Sequence, residues 1–66
     1  MFNYTGLFFM KIVDLNGKPA IIQLSNVDSI VSDLVTEFAI VVFNSGERLE
    51  TGITVESFWN TMKEMK

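Results

Sequence analysis

Two pairs of carboxylates, Asp28 with Asp33 and Glu47 with Glu50, are the residues of this 66-residue chain whose type and spacing suit acid–base work. One carboxyl of such a pair gives a proton while the other accepts one, which requires environments that push the two apart. Each pair stands among turn-forming residues, where carboxylates are ordinarily solvated, so the sequence favours plain surface charge. Asp14, Asn16 and Gly17 bear a faint likeness to the opening of a calcium loop. The remaining ligands, including the closing Glu, are missing, and a hairpin accounts for the same three residues. The chain contains neither His nor Cys, which removes the common nucleophile–base pairs and the usual zinc ligands. Gly17 and Gly46 are isolated and match no phosphate-cradling pattern. The expectation is a protein that is not an enzyme, with no catalytic residue, no cofactor and no bound metal.

Charge narrows the partners. Eight carboxylates oppose Lys11, Lys18, Arg48, Lys63 and Lys66, for a net charge of -3, and the cations are scattered. Nucleic-acid binding depends on clustered Lys and Arg that neutralise phosphates, so it is not expected. Leu7-Phe8-Phe9-Met10 is far too short to span a bilayer, and no positive charge precedes it as in a signal peptide; no membrane insertion and a cytoplasmic location are expected. Length allows one domain over residues 1–66, near the lower limit at which a single apolar core offsets conformational entropy. Such chains usually carry a disulfide or a metal. Here 48% of residues are hydrophobic and there is no cysteine, so the remaining support is a homo-oligomer.

These side chains must be positioned by short strands. Phe38-Ala39-Ile40-Val41-Val42-Phe43 lacks the alternation of a strand with one wet face, so both of its faces are expected to lie against protein. Upstream, Phe8, Met10 and Ile12 alternate with Phe9, Lys11 and Val13 in a first strand. It ends at Leu15-Asn16-Gly17-Lys18, where Asn-Gly predicts a two-residue type I′ turn. Pro19 cannot donate to a ladder, so it fits the very start of the returning strand, Ala20 to Leu24, or an edge position. Ser25-Asn26 breaks it before a third extended piece from Val27 to Val31, and Asp33 to Glu37 links to the central strand, with Leu34 and Val35 able to extend the third instead. Asn44-Ser45-Gly46-Glu47 marks a second hairpin, followed by a strand from Arg48 to Thr51 or Ile53, with Gly52 releasing the backbone from the sheet. Val55, Phe58, Trp59, Met62 and Met65 then recur at spacings of three and four, opposite Glu56, Asn60, Lys63 and Glu64. This is an amphipathic helix over 54–65, with Thr54 as its N-cap. The predicted fold is mainly β, of α+β class: a small curved antiparallel sheet or SH3-like barrel of about five strands, spanning 8–53, with one C-terminal helix and an N-terminal arm over 1–7.

In this order the chain resembles the small flagellar and swarming-motility family called FlbD-like. The resemblance is carried by Leu15-Asn16-Gly17-Lys18, Ser25-Asn26-Val27-Asp28-Ser29-Ile30, the aliphatic strand, the second glycine turn and Glu56-Ser57. It covers roughly residues 10 to 65; the chain departs from the family in its aromatic extension Met1 to Phe9, in Gly52 and in Phe58-Trp59. The resemblance implies a small cytoplasmic protein that supports motility without known catalysis. Two other readings stand beside it: an inhibitory or ligand-sequestering protein of a mobile element, and a LytTR-like DNA-binding module, whose basic contact residues are not found.

An interaction surface is what the residues themselves favour. Phe2, Tyr4, Phe9, Phe38, Phe43, Phe58 and Trp59 are too many large rings for so small an interior, and interface centres concentrate such rings. The candidate interface residues are Phe9, Val13, Phe38, Ala39, Val41, Phe43, Phe58 and Trp59, meeting a second copy or a protein partner.

Overall fold

A computed structural model describes residues 9–64 of the chain. The expected arm over 1–7 with Phe2 and Tyr4, and the positions Phe8, Met65 and Lys66, lie outside these residues. The described chain runs through five strands and a final helix: β1 (Phe9–Val13), β2 (Pro19–Gln23), a 3-10 turn (Leu24–Asn26), β3 (Val27–Ser32), β4 (Phe38–Phe43), β5 (Arg48–Thr54) and α1 (Val55–Glu64).

All pairings are antiparallel and fall into two sheets, a ribbon of β1 with β2 and a three-stranded sheet in the order β3-β4-β5. One bridge, Asp14 to Thr51, joins β1's end to β5, reinforced by Leu15 N–H donating to Glu50 O at 3.1 Å. The strands curl round a common interior without closing a barrel. Among the described residues, no helix is long and apolar enough to cross a membrane.

Each turn is set by local hydrogen bonding. At the first hairpin only Gly17 takes a positive φ, +84°. Asp14 N–H donates to Lys18 O and Gly17 N–H to Asp14 O, while Asp14 Oδ1 accepts from the N–H groups of Asn16 and Lys18. The loop is therefore one residue longer than the expected I′ turn, because the Asp14 carboxylate holds Asn16 in ordinary backbone geometry. The second hairpin repeats the pattern, with Gly46 at φ +97°, Gly46 N–H on Phe43 O and Phe43 N–H on Glu47 O. Asp33 to Glu37 forms the third turn, so Leu34 and Val35 stand almost fully exposed at its tip and do not extend β3.

The core consists of Met10, Ile12, Ile22, Ala39, Val41 and Phe58, with Val55 and Met62 packed against it. Along β4 the inner face, Ala39 and Val41, is wholly buried and the outer face, Ile40 and Val42, half-buried. The continuous apolar run thus has one face enclosed by its own chain and one covered only in part. Gly52 lies inside β5 and does not mark its exit, in an irregular stretch opposite Ala39 where the β4–β5 register shifts. Thr54 caps the helix as its sequence implies, its Oγ1 accepting from Ser57 N–H at 3.1 Å.

Candidate functional site

The carboxylates are not paired as their spacing suggested. Asp28 is exposed beside the β3 bulge, and Asp33 begins the third turn, where its Oδ1 accepts from the N–H groups of Val35 (2.7 Å) and Thr36 (3.0 Å). Those two donors hold the Asp33 carboxyl below its ordinary range. A carboxyl tuned to give a proton near neutral pH is shifted the other way. The fold instead gathers Asp14, Asp33 and Glu50 with Arg48 around a shallow hollow of about 640 Å³. Sequence spacing missed this grouping because it arises from the Asp14–Thr51 bridge between two sheets. Asp14 and Asp33 both spend oxygens on the backbone of their own turns, and among the described residues no carboxylate group of three or more is arranged to hold a metal ion.

Apolar surface is the more distinctive feature, and it lies in two places. The first is the outer face of the β1–β2 ribbon, where strand alternation aligns Phe9, Lys11 and Val13 with Gln23, Ile21 and Pro19. Phe9 is 53% exposed and Ile21 70%, although the opposite face of the same ribbon supplies Met10, Ile12 and Ile22 to the core. The second is a groove of about 360 Å³ between α1 and the start of β3, lined chiefly by Leu24, Val27, Ile30, Val55, Trp59 and Met62, with Asp28 among its walls. Trp59 forms its lip and is 57% exposed.

The expected interface residues therefore divide. Ala39, Val41 and Phe58 belong to the core, which corrects their assignment to a surface: Phe58 forms part of the floor of the α1 groove but is only 1% exposed. Phe38, Phe43 and Val13 are half-buried, and only Phe9 and Trp59 are more than half exposed. Ile21 was missed. The signal was the turn, since a two-residue I′ loop would align Lys11 with Ile22 and send Ile21 inward. The longer loop shifts the register by one residue and reverses both side chains.

No protein-family model, curated protein or solved structure matches the chain.

Proposed function

We propose that this chain is a non-enzymatic protein-interaction module that works as a homo-oligomer. The observation that carries the reading is the exposure of Phe9, Ile21 and Trp59 on regular strands and a helix, not on loops. Side chains on such elements are held in place, so contact with a partner costs little further ordering. Single exposed apolar residues are ordinary on any surface, but contiguous ones mark contact sites. On the ribbon, Ile21 lies beside Pro19 and diagonal to Phe9 and Val13 on one face, with Lys11 directly opposite it.

The resemblance to FlbD-like proteins extends the proposal to a role in supporting motility. Its support is the hairpin and capping residues around Gly17, Gly46 and Thr54. A strain deleted for the chain that swarms like its parent would remove this extension and leave the interaction reading in place. The interaction reading itself is tested by light scattering at micromolar concentration. A multiple of the 7.5 kDa chain mass is expected, and a single-chain mass up to millimolar concentration overturns it.

A further inference from the structure

Resting on the self-association just proposed, this inference concerns the surface that mediates it. We propose that two copies join through β2, edge to edge and antiparallel about a twofold axis at Ile21, so that both ribbons form one sheet in the order β1, β2, partner β2, partner β1.

Among the described residues, the ends of the two sheets leave β2 and β3 as candidate edges for strand addition, β1 and β5 being bridged to each other. Natural edges are guarded by charge, by bulges or by brevity, because an unguarded strand invites pairing. β3 is guarded twice, by its bulge between Val27 and Ser29 and by Asp28. β2, Pro19-Ala20-Ile21-Ile22-Gln23, has neither charge nor bulge, and its one guard, Pro19, removes a donor only at the strand's first residue. Its backbone is also suitably turned. Asp14 and Lys18 are a hydrogen-bonded pair, so by alternation Ala20 and Ile22 bond to β1, and the N–H and C=O of Ile21 point away from it. An Ile21–Ile21 pair across the axis can exchange both of its hydrogen bonds.

Charge directs a second copy to the ribbon. The chain carries -3 overall, so two copies repel unless they meet where carboxylates are missing, and neither ribbon strand contains one. The α1 groove has Asp28 in its wall and Glu56 and Glu64 on its helix, which would bring like charges together. The ribbon's one cation within its strands is Lys11, opposite Ile21. In the proposed sheet the two Lys11 positions are separated by three strand spacings, roughly 14 Å. That exceeds the Debye length of about 10 Å at 0.1 M salt, so their repulsion is largely screened. The same register places Pro19 beside the partner's Gln23 and so lines up Phe9, Gln23 and the partner's Pro19 and Val13 in one row on each side of the axis, as an isologous contact requires.

Light scattering of wild type, Ile21→Lys and Trp59→Ser, with circular dichroism to establish folding, tests the proposal. Wild type and Trp59→Ser are expected to be dimers, and Ile21→Lys a folded monomer. A synthetic chain N-methylated at Ile21 keeps the side chain and removes the donor. It should dimerise about tenfold more weakly or worse, and serves in place of Ile21→Lys if that variant does not fold. A dimer that survives both changes to Ile21, or that Trp59→Ser abolishes, overturns the β2 edge while self-association stands. A wild-type monomer at all concentrations overturns the self-association reading as well. Dimerisation that appears only on adding a basic protein overturns the second copy as occupant.

Discussion

Thr51 shows how a single hydroxyl can hold an irregular strand. It is wholly buried, and its Oγ1 donates to Ala39 O at 2.7 Å, with Ile53 O a longer second acceptor at 3.2 Å. Oγ1 also accepts from Ile53 N–H at 3.4 Å. The β4–β5 register shifts across this stretch, so these bonds replace ladder bonds that the irregularity removes. Thr51→Val keeps the shape and strands those backbone groups, and it should cost about 1–3 kcal/mol in urea unfolding, whereas Thr51→Ser should cost less. Asp33 makes a prediction that depends on pH. Its carboxylate is stabilised by the Thr36 and Val35 N–H groups, so its folded pKa lies below the ordinary value of 3.8. Such a group contributes stability above the unfolded pKa, and the contribution is lost as pH falls through the folded one. Asp33→Ala should therefore melt below wild type at neutral pH, and the gap should close once the pH is well under 3.8. A gap that persists unchanged in acid would assign the effect to the turn's shape and not to its charge.

Among the elements, α1 separates two neighbouring aromatic residues by face alone. Phe58 is 1% exposed against the sheet, and Trp59 is 57% exposed at the groove's lip. A ten-residue helix is marginal by itself, so its docking depends on Phe58 with Val55 and Met62. Phe58→Ala should cost about 3–5 kcal/mol of stability, and Trp59→Ala less than about 1 kcal/mol, both read by denaturant melts. Equal losses would mean that the helix docks through both rings. Strands and helix were legible in the sequence because glycine turns and the change from period two to period 3.6 are local signals. The first hairpin's register was not. Asn16-Gly17 fits a I′ turn on its own, and only the Asp14 side chain, accepting from two backbone N–H groups, decides for the longer loop. One residue of slip is enough to exchange Ile21 and Ile22 between surface and core, so the exposed half of the ribbon could not be read from alternation.

At the scale of the whole molecule, the excess of apolar residues was legible but its distribution was not. Composition predicts that something remains uncovered, yet β4's inner face is closed by Phe58, a contact between residues far apart in the chain. The uncovered part falls on the ribbon and beside Trp59, and the ribbon's placement depends on a narrow joint. Gly52 sits there: a Cβ at this position would lie 3.0 Å from Asp14 O and 3.6 Å from Val13 Cγ2. The first neighbour is backbone and cannot rotate away, so a methyl group must push β1 from β5. Gly52→Ala should then destabilise the chain by about 1–3 kcal/mol, the usual cost of overpacking. The damage should also be local. Leu15 N–H, which crosses the joint to Glu50 O, should exchange with solvent faster, while Asp14 N–H, bonded to Lys18 O within the ribbon, should keep its protection. If both amides speed up together, the ribbon has no integrity of its own and unfolds with the joint. If neither changes and the melt is unaltered, Met10, Ile12 and Ile22 hold the ribbon to the core without the bridge, and its outer face would keep its position for a partner even when the joint is opened.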